Sequence, residues 1–179
     1  FVKQLEENGV YYIDNETEML QLTKTVLNHD MKMVRKMEGK SAMDILEEAG
    51  IHPNRPVRLV VVRTFAKHPL GLEERLMPVV PLVAVADFEE ALETALFTEQ
   101  GYRHTAMVHS QCIDRLSKAA KIMNTTVFIK NGSSLAGIGL NGEEMASFTI
   151  ANVTGEGITT ARDFACKRSC TLTSGFSLR

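Results

Sequence analysis

Tryptophan is missing from the 179 residues, and cysteine occurs only three times. An odd, small number of thiols with no secretory signal pattern argues against a disulfide framework and for a reducing cytoplasm. An excess of either charge is lacking too, since 20 basic residues stand against 22 acidic ones, a net charge of −2. That balance excludes the basic footprint of a nucleic-acid binder and the polybasic run of a membrane-surface protein. No apolar run reaches bilayer-spanning length. Internal repeats, low-complexity tracts and Pro/Ser-rich linkers are also lacking.

What is present is 44% hydrophobic content, enough for one substantial core or for one domain with an appendage. Phe1 is not an initiator methionine and "FVKQLEENG" reads as the inside of a helix, so a piece of a longer polypeptide is expected. Asn15 with Glu18 three residues on has the spacing of a capping box and opens a helix with Met19, Leu22 and Val26 on its apolar face. A second helix is bracketed by Ser41 as N-cap and Gly50 as left-handed stop, with Ile45, Leu46 and Ala49 inward. Val57 to Val62, "VRLVVV", is the β-branched run of a strand covered on both faces.

From Val79 to Lys130 strand and helix patterns alternate: "VVPLVAVA", a helix capped by Asp87 and stopped at Gly101, "HTAMVH", a helix capped by Ser110, and "TTVFIK". The first of these helices turns Phe88, Ala91, Leu92, Ala95 and Leu96 inward, and the second Ile113, Leu116, Ala120 and Met123. Short links imply right-handed crossovers and neighbouring parallel strands, with Pro81 favouring an edge or a bulge. After Asn131 the composition shifts to Gly, Ser and Thr, and "ITTARDFACKRSCTLTSGF" reads as one or two extended strands.

Candidate chemistry is sparse. "AGIGLNGEE" places Gly137, Gly139 and Gly142 at the G-x-G-x-x-G spacing, but "EEMASFTIANV" leaves it without a helical stripe and no suitably placed acid follows, so the expectation is a structural loop. His104 and His109, five apart on one strand, point to opposite faces, so a zinc set with Cys112 is not expected, nor any other metal site. Cys112 beside Ile113 reads as a packed small hydrophobe, and Cys166 and Cys170 lack the C-x-x-C spacing. The adjacent acids Glu73 and Glu74 stand out, because they lie at the entrance of a buried strand, where loops hold functional side chains.

Those acids also carry a resemblance. "LEERLMPVVPLVAVADFEEALETA" resembles the aldehyde dehydrogenase stretch in which two glutamates, a spacer, an aromatic and Gly-Pro lead into a strand and helix. "HTAMVHS", "FIKNGSS", "TGEGITTARDF" and "LTSGFSLR" are similar to the coenzyme A-acylating branch found in propanediol and ethanolamine utilisation. The resemblance implies an α/β fold with a mostly parallel catalytic-domain sheet of βαβαβ units over residues 1–157 and a C-terminal oligomerisation strand over 158–179. The N-terminal NAD-binding domain, the nucleophilic cysteine and the asparagine that helps bind the oxyanion would lie upstream of Phe1, and Cys112, Cys166 and Cys170 match none of the family's catalytic positions.

The implied chemistry is NAD-dependent conversion of a short-chain aldehyde to acyl-CoA through a cysteine thioester, with coenzyme A as co-substrate. The family's ribose-binding glutamate falls on Glu74 and its ribose-packing aromatic on Leu76, while Met77 replaces the glycine before Pro78. His104 is a candidate for lining the acyl or coenzyme A channel. A homo-oligomer is implied, cytoplasmic and with microcompartment packaging as a further possibility through a shell contact of the upstream segment. The competing readings are a hydrolytic aldehyde dehydrogenase and a non-enzymatic α/β ligand-binding or interaction module.

Overall fold

Parallel pairing organises the chain at every described ladder. The computed structural model describes residues 1–141, 159–169 and 171, which fall into two units, Phe1–Gly101 and Tyr102–Arg179. In the first unit the strands β1 (Val10–Ile13), β2 (Leu59–Thr64) and β3 (Val79–Val83) form a parallel sheet in that order. Helices α1 (Val2–Glu7), α2 (Glu16–Val26), α3 (Ala42–Glu48), α4 (Pro69–Leu72) and α5 (Phe88–Glu99) accompany it. The second unit pairs β4 (Thr105–Val108) with β5 (Val127–Lys130) in parallel across α6 (Ile113–Met123), and a 3-10 turn follows at Ser134–Ile138.

The local signals explain most of these elements. Asn15 accepts the Glu18 N–H at 2.8 Å, but the Glu18 carboxylate does not complete the box; it receives the Tyr11 hydroxyl at 3.2 Å, which ties α2 to β1. Ser41 and Asp44 form a full reciprocal box, and Gly50 follows α3 in the left-handed region at φ +73°. The central strand buries Val60, Val61 and Val62 in succession, as expected for a strand covered on both faces. Around it Ile13, Leu22, Val26, Met37, Ile45, Leu46 and Leu70 close the core.

Five features differ from the sequence reading. "VYYI" of β1 is a strand that the pattern did not indicate, being only four residues long and carrying two tyrosines. The run from Val79 to Lys130 divides, because β3 pairs with β2 while β4 pairs with β5; Pro81, with no N–H to give, fits a strand with one described ladder partner. Cys112, not Ser110, is the N-cap of α6; the Ser110 hydroxyl accepts the Cys112 N–H at 3.1 Å one step earlier. The buried stripe of α6 runs through Ala119 and Met123 with Leu116 and Ala120 partly covered, so Ile113 at the open end is 75% exposed and Cys112 is exposed, not packed. At the far end, residues 161–165 form a turn in which the Asp163 carboxylate accepts the Thr160 N–H at 2.7 Å, where an extended strand was expected. Residues 166–169 and 171 also carry no strand, while the rest of that tail and "EEMASFTIANV" lie outside the described residues.

Leu46 is fully buried on α3 against the sheet. Leu46→Ala leaves a cavity there, and urea denaturation is expected to show a loss of about 2–5 kcal/mol.

Candidate functional site

The crossover from β2 to β3 must return the chain to the start of β3, and it does so through one turn of helix and an anchored loop. His68 caps α4 by accepting the Leu70 N–H on Nδ1 at 3.2 Å, with Pro69 at the first helical position, where a missing N–H is harmless. Its ring stands edge-on to Phe65, centroids 5.2 Å apart at 84°. Burial, and next the positive charge of Arg75, hold the His68 imidazolium below its ordinary pKa. Burial likewise pulls the Arg75 guanidinium down, with Glu73 opposing.

Beyond α4 the loop is pinned from several directions. The Gln100 amide donates to the Leu72 carbonyl at 2.7 Å, and Arg75 Nη1 donates to the Glu73 carbonyl at 2.7 Å. The Gly39 N–H donates to the Leu76 carbonyl at 3.0 Å, and Val79 N–H to Met77 at 2.8 Å. Lys32 Nζ reaches both oxygens of Glu73, at 2.7 and 3.0 Å, and that carboxylate side chain is only 23% exposed. Glu74, one residue on, is exposed, and its carboxylate has no hydrogen-bond or ion-pair partner among the described residues. Leu76 is 63% exposed, while Met77 packs partly buried against the core.

Of the sequence candidates, Glu74 and Leu76 therefore share one presented loop. His104 lies in the second unit, exposed at the start of β4, its carbonyl accepting the Val127 N–H and its Nδ1 2.6 Å from the Thr105 hydroxyl. Among the described residues no three His, Cys, Asp or Glu side chains gather to hold a metal ion. The glycine motif has a packing explanation in its described part: a Cβ on Gly137 would meet Val127 Cγ1 of β5 at 2.6 Å, and Gly139 adopts φ +95°. The turn folds back onto its own strand. Sequence reasoning missed His68, Arg75 and Lys32; the His-Pro pair ahead of a short apolar run was the only local signal, and Lys32 lies 41 residues from its partner.

No protein-family profile matches the chain. Curated relatives do. The propanal dehydrogenase (CoA-propanoylating) of Salmonella typhimurium is 49% identical over 146 residues, 81% of this chain and 32% of that protein. Its counterpart in Citrobacter freundii is 44% identical over 179 residues, 99% of this chain and 38% of that protein. The chain thus spans about a third of the length of the curated relatives it matches. Among solved structures, the propionaldehyde dehydrogenase of Rhodopseudomonas palustris with bound propionyl-CoA superposes with a TM-score of 0.88 at 38% identity, covering 96% of this chain and 38% of that one. An engineered glycolyl-CoA reductase with bound NADP+ gives 0.87 at 38%, covering 96% and 39%. The propionaldehyde dehydrogenase of the Clostridium phytofermentans fucose utilisation bacterial microcompartment gives 0.84 at 35%, covering 98% and 40%.

The lowered His68 pKa has a consequence for stability. As pH falls below the ordinary value of 6.5 the unfolded chain takes up the proton first, so stability declines through that window and is regained on raising the pH. His68→Asn keeps an N-cap acceptor without a titrating group, and denaturation midpoints measured from about pH 7.5 down to about pH 5 are expected to fall less steeply than for the parent chain.

Proposed function

The chain belongs to the coenzyme A-acylating aldehyde dehydrogenases, and we propose that it forms part of an NAD-dependent enzyme converting a short-chain aldehyde to acyl-CoA. The observation that carries this reading into the structure is the exposed Glu74 carboxylate, without a partner among the described residues and held out by a pinned loop beside an exposed Leu76. These residues fit the ribose of a nicotinamide dinucleotide. A carboxylate accepts both hydroxyls of a diol, and an apolar neighbour keeps water from competing.

When bound, the dinucleotide supplies the hydride acceptor. Glu74 would hold and orient its ribose, and Leu76 would cover the sugar face with purely apolar contact in place of an aromatic. The nucleophilic thiolate is proposed to come from outside these residues: Cys112 sits exposed at the open end of α6, and Cys166 is exposed beside the 161–165 turn. That thiolate would attack the aldehyde carbonyl, the adduct would lose hydride to the bound dinucleotide to leave a thioester, and the acyl group would then pass from the enzyme sulfur to the thiol of coenzyme A, freeing the thiolate. His104, exposed at the mouth of β4, is the candidate for lining the acyl or coenzyme A channel.

We assign residues 1–157 to the catalytic domain and 158–179, apart from the 161–165 turn, to an oligomerisation strand, which implies a homo-oligomer. A cytoplasmic setting belongs to the same proposal, as does enclosure in a microcompartment through a shell contact; the Clostridium phytofermentans neighbour, which comes from a fucose utilisation bacterial microcompartment, supports the enclosure. Among the described residues no helix is long and apolar enough to cross a membrane.

In the complete enzyme, Glu74→Gln is expected to raise KM for NAD+ by about tenfold, the scale of one weakened hydrogen bond to a charged group, with little effect on acylation of the enzyme by acyl-CoA. Unchanged NAD+ saturation removes Glu74 from the site. Turnover without coenzyme A would replace the acylating reading with a hydrolytic one.

A further inference from the structure

We propose that the two adjacent glutamates divide the work of one site: Glu74 meets the ribose, while Glu73, locked by Lys32, is the anchor that sets where Glu74 stands, making Lys32 a positioning residue for cofactor binding. This rests on the reading of Glu74 as the ribose ligand. Neighbouring side chains in an extended stretch point in opposite directions, so a loop that turns one carboxylate toward its own unit presents the other outward. Glu73 is the inward one, gripped by Lys32 on both oxygens and by Arg75 at its carbonyl. Fixing the carbonyls of Leu72, Glu73 and Leu76 leaves Glu74 as the exposed carboxylate of a short pinned span, with no partner among the described residues.

Lys32 is itself well placed to act as an anchor. Its backbone closes a turn in which the Asn28 side chain accepts the N–H groups of Asp30 and Lys32, both at 2.9 Å, and Asn28 N–H donates to the Lys32 carbonyl at 2.8 Å. The neighbouring Leu27 and Met33 form an antiparallel bridge directly after α2. The lysine therefore reaches Glu73 from a rigid base. A carboxylate held in its binding position before the cofactor arrives forfeits less conformational freedom on binding, which lowers KM without touching the chemical step.

The test is steady-state kinetics of the complete enzyme with NAD+ varied. Lys32→Met is expected to raise KM for NAD+ about two- to fivefold, the range for an ion pair at a partly exposed site, with kcat little changed. Lys32→Arg should restore the parent KM. The double variant Lys32→Met/Glu73→Gln should be no worse than Lys32→Met alone, since the two residues act as one. If Glu74→Gln raises KM while Lys32→Met leaves it unchanged, or lowers only kcat and the melting temperature, the pair is structural and the inference falls while the ribose reading stands. If Glu74→Gln leaves KM unchanged, both fall.

Discussion

The parallel pairing of β1, β2 and β3 is the constraint on which the rest of the first unit depends. Parallel neighbours cannot be joined by a tight turn, so each link must cross back over the sheet before the next strand begins. The link from β1 to β2 carries α2, Lys32, Gly39 and α3; the link from β2 to β3 carries His68, α4 and residues 73 to 76. Because the strands are neighbours, their crossovers are neighbours as well. That is why Lys32 can grip Glu73 and the Gly39 N–H can reach the Leu76 carbonyl. The buried valines of β2 hold the register that brings these distant residues together.

Electrostatics then separates two acids that look equivalent in the chain. Glu73 sits near two cations, Lys32 at its carboxylate and Arg75 at its carbonyl, and is largely shielded from water. Arg75 is in turn the second cause of the depressed His68 pKa, after burial. The Arg75 Nε is buried without a described partner, which makes that guanidinium a costly group to keep unless the loop it stabilises matters. Glu74 lies one residue away, outside this arrangement, and keeps its carboxylate in solvent. Groups perturbed by burial therefore lie next to a solvent-facing acid on one pinned loop.

How much of this was legible in the sequence follows from how local each signal is. Asn15, Ser41 and Asp87 were readable as caps because a cap is a contact within three residues, and each does accept the expected N–H. Gly50 was readable because a left-handed stop is a property of one residue. β1 was not, since four residues with two tyrosines give no period to count. The grouping of β3 failed for a different reason: alternation of strand and helix says that strands are parallel but not which neighbour each one takes. Cys112 was misjudged because the apolar stripe of α6 begins one turn later, at Leu116. Within the site, Glu74 and Leu76 came from a resemblance in a contiguous stretch, whereas Lys32 is joined to them only by the topology.

The glycines show the same limit from the other side. G-x-G-x-x-G specifies a phosphate site only where a helix N-terminus follows, because the anion is held by free N–H groups that the letters do not encode. At Gly137 the described structure gives the missing side chain another cause. A methyl group there would be driven into Val127 of β5, and the 3-10 turn could not close on its own strand. Gly139 next to it ends that turn in the left-handed region. Packing thus accounts for Gly137 and backbone geometry for Gly139. Glu74 differs in kind: its exposed carboxylate has no partner among the described residues and stands on a loop pinned on both sides, which is the arrangement that the proposed ribose contact draws on.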